Sequence, residues 1–241
     1  MNKTEILSII FIFVLTICRG QNNDDTTKDT LQFYFPFGTV FNDTSSYVVR
    51  QPFHNSWCSA HLHAMKEPVI YTDKSNNEIF RFTWLRTSHH PVAIRIEKQA
   101  SLESLQGPWH PSLQIDYKYM LYWKVCSGQG GYDPGKLVIN EQKTLDERTW
   151  KEFLNLLGQV DFWNLQTSER NSKRLFTLVD GAQWETVSIG VDGAHWVLEG
   201  KMSPHYHVVD RWAPNKESKY YQCCNFLIQL TDLEISDKDK Y

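Results

Sequence analysis

The run from Ile79 to Leu85 alternates without a break. Ile79, Arg81, Thr83 and Leu85 fall on one side, and Phe80, Phe82 and Trp84 on the other. Successive side chains of a strand point to opposite faces, so this run reads as a strand with an aromatic core face. Thr87 to Pro91 then punctuates, and Val92, Ile94 and Ile96 alternate with Ala93, Arg95 and Glu97. Two alternating runs split by a turn read as a β-hairpin. An aromatic hairpin face must be covered by another apolar layer, and that requirement governs how the rest of the chain is read.

More strands follow. Ile115 to Cys126 is a longer strand, Ser127 to Gly135 a Gly-rich turn, and Lys136 to Asn140 its return strand. Gln99 to Gln106 reads as a short helix or loop. The pattern V-D-G-A-x-W occurs at Val179–Trp184 and again twelve residues on, at Val191–Trp196. Each Asp-Gly signals a turn and each Trp opens a strand-like run; with Tyr206–Trp212 as a third strand, the region reads as a small antiparallel meander. Two copies are too few for a solenoid.

Two helices supply the cover. In the first, Thr144 is the N-cap and Glu147 completes a capping box. Trp150, Phe153, Leu154 and Leu157 recur at i, i+3, i+4, i+7, and Gly158 ends it. The second runs from Ser218 to Leu230, with Tyr220, Cys223, Cys224, Leu227 and Leu230 on one face. The expected fold is α+β: an antiparallel sheet of hairpins and a meander, two main helices packed on it, and disulfides stapling the whole. Residues 31–235 form one domain and residues 236–241 a frayed tail.

The first 20 residues read as a secretory signal peptide. Lys3 supplies the positive start. Ile6 to Ile17 is an apolar run too short to span a bilayer, and Cys18-Arg19-Gly20 places small residues for cleavage before Gln21. Residues 21–30 are polar and read as a disordered leader. Leu15-Thr16-Ile17-Cys18 is also a degraded lipobox, so lipid anchoring through Cys18 is the alternative to soluble export. The expected location is secreted, or periplasmic in the cell envelope, with no transmembrane segment in the mature chain.

Export changes the meaning of the cysteines. Cleavage removes Cys18 and leaves Cys58, Cys126, Cys223 and Cys224. An even number in an exported chain favours disulfides. Bonding Cys223 to its neighbour requires a strained ring, so the expected pattern links Cys58 and Cys126 separately to the adjacent pair. One bridge with two free thiols is the alternative. The formal charge is −3 overall, without a Lys/Arg run, which argues against nucleic acid as partner.

Three chemistries are open. His61 and His63 are spaced i, i+2, as are His205 and His207; in strands each pair shares a side, and together they would suit zinc or copper. Otherwise no cofactor is expected. Of the carboxylates Asp180, Glu185, Asp192, Glu199 and Asp210, Glu199 is the candidate acid for glycoside cleavage. Aromatics make up 14% of the chain, and Trp109, Tyr132, Trp184, Trp196 and Trp212 lie at turns or strand starts, where they would form a stacking platform for a glycan, peptide or protein ligand. The chain has no G-x-S-x-G elbow, no H-E-x-x-H helix and no phosphate loop.

Ile79 to Leu233 resembles a group of uncharacterised exported bacterial proteins. The resemblance rests on Tyr122–Cys126, Gly131–Lys136, Asp192–Gly200, Tyr206–Trp212 and the Cys223-Cys224 pair. It implies export and no particular activity. On the aromatic-rich composition and the lack of a catalytic signature, the expected function is a non-enzymatic binding or interaction protein of the envelope or exterior, with the histidine metal site and the Glu199 hydrolase as alternatives.

Overall fold

A computed structural model describes residues 33–36, 51–100, 116–168, 174–177, 183–186 and 193–241. The signal and leader, Trp109, Asp180 and Asp192 lie outside the described residues. The elements are α1 (Gln51–Ala64), β1 (Glu78–Arg86), β2 (Val92–Ala100), β3 (Tyr117–Cys126), β4 (Leu137–Leu145), α2 (Glu147–Val160), β5 (Arg174–Thr177), β6 (Gln183–Thr186), β7 (Ala194–Met202), β8 (His205–Trp212) and α3 (Lys219–Gln229).

Six strands form one antiparallel sheet in the order β4-β3-β2-β1-β7-β8. The aromatic face is as the alternation predicts. Phe80, Phe82 and Trp84 lie beside Ile94, Ile96, Leu121, Trp123, Trp196 and Leu198, and are covered by Trp150, Phe153 and Leu157 of α2 and by Tyr220, Leu227 and Ile228 of α3. The Tyr220 hydroxyl reaches under the sheet and donates to the carbonyls of Trp196 and Val209 at 2.6 and 2.9 Å. Gly200 is required here: a Cβ would sit 2.5 Å from the Phe80 ring.

Several expectations are corrected. The meander is split between two sheets: β5 and β6 pair with each other, whereas β7 and β8 belong to the large sheet. Thr144 remains in β4, and Asp146 caps α2 by accepting from the Thr149 amide at 2.7 Å. The helix also passes Gly158 and ends at Asp161, whose left-handed backbone (φ 53°) a short polar side chain tolerates. Residues 236–241 return to the body. The main-chain oxygen of Tyr241 accepts from the indoles of Trp196 and Trp84 at 2.9 and 3.4 Å, and the Tyr241 hydroxyl lies 2.7 Å from His89 Nδ1.

The largest departure is α1, a third helix, which packs on the opposite face of the sheet. Cys58, Leu62 and Met65 meet Leu85, Ala93, Cys126, Val197 and Val208 there, together with Tyr34 and Phe35. Much of its buried side is polar. Ser59 Oγ accepts from the Tyr34 amide and donates to Asn55, and the Asn55 side chain donates to the Phe35 carbonyl.

This layering removes the expected disulfide staple. Cys58 and Cys126 lie between the sheet and α1, whereas Cys223 and Cys224 lie on α3 against the aromatic face. The sheet stands between the two sets, and all four cysteines are buried free thiols.

Candidate functional site

Beside the apolar patch under α1, the second face of the sheet carries a cluster of charges. β1 contributes Arg81, β2 Arg95 and Glu97, β3 Lys124, and β7 Glu199; Glu67 descends from the segment after α1. All six are buried. Glu67 binds three cations: Lys124 at 3.0 Å, Arg95 at 2.9 Å and Arg81 at 3.4 Å. Arg81 also grips Glu199, and Arg95 grips Glu97. The second Glu199 oxygen accepts from the Tyr206 hydroxyl at 3.0 Å. Three cations meet three carboxylates, which is how buried charge is tolerated.

This network decides the status of Glu199. Both its oxygens are occupied, and burial pushes its carboxyl above the ordinary value against the pull of Arg81. Glycoside cleavage needs two carboxyl groups flanking a sugar. Glu199 instead holds the sheet face together from the interior.

The histidine pairs do not converge. His61 and His63 sit on a helix, where i, i+2 positions diverge; His61 is sealed and His63 exposed. His205 and His207 project from β8 on the opposite side of the sheet, beside Trp163 and Phe162, and His207 Nε2 lies 2.9 Å from the Leu165 carbonyl. Among the described residues no group of three or more His, Cys, Asp or Glu side chains is arranged to hold a metal ion.

The aromatic candidates separate clearly. Trp196 is fully buried in the core, so it offers no platform. Trp184 is on β6, and Tyr132 stands exposed in the turn before β4. Trp212 is 37% exposed at the end of β8 and belongs to a row of rings. Trp212 meets His195 edge-on at 4.8 Å, and His195 meets Trp57 of α1 at 5.2 Å. Below the row, His195 Nδ1 lies 3.0–3.1 Å from both oxygens of Asp210. The carboxylate fixes the ring orientation, as a charged partner does for imidazole elsewhere.

The second V-D-G-A-x-W copy builds this edge. Its x is His195. A Cβ on Gly193 would lie 2.6 Å from the Trp212 ring, so glycine lets the indole lie close to the strand. The Thr87 amide and hydroxyl both donate to the Gly193 carbonyl, at 2.9 and 2.8 Å, tying the motif to β1. Sequence reasoning missed His195 and Trp57. The signal for His195 lay in the alternation of β7 and β8, which puts it on the same face as Asp210.

Cys58 lies near this edge but is not an activated nucleophile. Burial pushes its thiol well up, and the Asp210 and Glu199 carboxylates push it further. A reactive thiolate needs the opposite environment. No protein-family model matches the chain, and no curated protein is detectably similar to it.

Proposed function

We propose that this is an exported, non-enzymatic binding protein of the cell envelope or exterior, and that it takes its ligand at the Trp57–His195–Trp212 edge. The observation that carries this reading is the ring row itself. Trp212 presents partly exposed indole surface, beside an imidazole held in one orientation by Asp210. Apolar ring faces stack on sugar rings or on peptide side chains, while the imidazole supplies a directed polar contact. Glycans and peptides are therefore the ligand classes to test. Export is supported by residues 1–20, with Gln21 as the mature start and a lipidated Cys18 as the alternative.

Glycan and peptide arrays probed with the wild-type chain and with Trp212→Ala test the proposal. The expected result is a ligand class bound by the wild type and lost in the variant, with no product formed. A wild-type chain that binds neither class, or that turns one over, overturns it. Intact mass of the exported protein separates a chain beginning at Gln21 from a lipidated one beginning at Cys18.

A further inference from the structure

The two edges of the large sheet differ. Along β8, the Asp210 amide donates to the Thr167 carbonyl at 2.6 Å, and Ser168 makes a parallel bridge to Asp210. That edge is partly covered. β4 ends the sheet on the other side, and among the described residues no strand pairs with its outer edge. Alternate residues between Leu137 and Leu145 present their backbone donors and acceptors there. Such an edge is a template for another strand.

The side chains of β4 state which strand fits. Ile139, Glu141, Lys143 and Leu145 point to the helix-covered face, opposite Val125, Trp123, Leu121 and Tyr119 of β3. Glu141 and Lys143 are of opposite charge and two residues apart, with Gln142 between them. If a second β4 pairs antiparallel about a two-fold axis through Gln142, Glu141 faces Lys143 of the other copy, and Lys143 faces its Glu141. Ile139 then faces Leu145, and Asn140 faces Thr144. Directly opposed residues interact most strongly across a strand pair, and opposite charges there stabilise. Moving the axis off Gln142 removes both ion pairs.

Charges on an edge strand usually serve to repel other strands. Here they are self-complementary, which repulsion does not require. Lys143 also keeps its contact with exposed Asp232 at 3.3 Å, so its ammonium would lie between two carboxylates. Ile139 lines a surface groove with Trp123 and Leu233, and the opposing Leu145 would extend that apolar lining. A two-fold contact of this kind is closed and leaves neither copy with an open β4 edge.

We propose that two copies of this chain associate through β4, in antiparallel register about Gln142, into one continuous twelve-stranded sheet. Light scattering on the full chain is expected to give a dimer. Glu141→Lys opposes like charges at two symmetric positions and should weaken the dimer about tenfold. The double variant Glu141→Lys/Lys143→Glu reverses both charges and should restore it. Register is read by oxidative cross-linking in a Cys18→Ser background, because the four other thiols are buried. Gln142→Cys should link to itself. Val138→Cys should not, since the two copies of residue 138 would be about 27 Å apart in this register. A monomer at every concentration, a dimer indifferent to the Glu141 charge, or equal cross-linking at 138 and 142 would each overturn the proposal.

Discussion

Arg81 and Glu199 sit directly opposite each other on β1 and β7, both sealed from solvent, with the guanidinium holding one carboxylate oxygen through Nε and Nη2. They belong to a buried charge cluster on one face of a sheet whose other face carries the aromatic core. Glu67 connects this pair to Arg95 and Lys124, so one residue outside the sheet balances cations on three strands.

Removing Glu67 should therefore cost more than removing any exposed carboxylate. Glu67→Gln leaves three buried cations short of a partner, and breaking a buried pair in this way costs about 3–5 kcal/mol. Chemical denaturation at pH 7 measures it. A loss below about 1 kcal/mol, the range of surface pairs, would contradict the network.

The same residue sets a pH dependence. Burial pushes the Glu67 carboxyl up, but Arg95, Arg81 and Lys124 together bring it below the ordinary Glu value. A carboxyl depressed in the folded state contributes stability above its unfolded pKa and loses it as pH falls through the folded one. The stability gap between wild type and Glu67→Gln should hold at pH 7 and narrow once pH falls below about 4. Denaturation midpoints of both proteins across that range check it; a gap independent of pH would contradict the assignment.

The four core cysteines should behave as inert thiols. Burial pushes Cys223 up to about 12 and raises Cys58 and Cys224 well above the ordinary thiol range. Iodoacetamide at pH 8 should leave all four unmodified in the native protein. Unfolding without reductant should then give four adducts, located by peptide mapping at Cys58, Cys126, Cys223 and Cys224. Two missing adducts that appear only after reduction would show a disulfide.

How much of this was legible depends on the residue pattern of each element. The β1–β2 hairpin and its aromatic face follow from strict alternation at 79–85 and 92–97. α2 and α3 follow from apolar spacing, although the start of α2 shifted because Asp146 can cap as well as Thr144. α1 was missed because its buried side carries Asn55, Ser59 and His61 as well as Cys58 and Leu62. A helix whose buried side mixes polar and apolar residues has no apolar stripe to announce it. Alternation put Arg81 and Arg95 opposite their strands' apolar runs without joining them, and Glu199, singled out as a candidate acid, is a buried partner of Arg81. The candidate site was half legible: Trp212 and Asp210 were both singled out, but their meeting at His195 depends on pairing β7 with β8.

Gly200 tests the packing of the aromatic face. A methyl group there meets the Phe80 ring at 2.5 Å and the Phe162 ring at 3.1 Å. Overpacking of a filled core costs about 1–3 kcal/mol, so Gly200→Ala should lower stability by that amount. Gly158 has nothing within 4 Å of such a group, so Gly158→Ala on α2 should be stabilising by up to about 1 kcal/mol. Thermal denaturation of the two variants should move in opposite directions.

The most direct test of the binding edge uses indole N–H resonances. A glycan or peptide selected on the arrays is titrated into ¹⁵N-labelled protein. The Trp212 and Trp57 indole signals should shift with ligand, while those of Trp84 and Trp196, held by Tyr241 in the core, stay in place. Shifts centred on Trp84 and Trp196, or saturable binding that leaves Trp212 and Trp57 unmoved, would contradict the account.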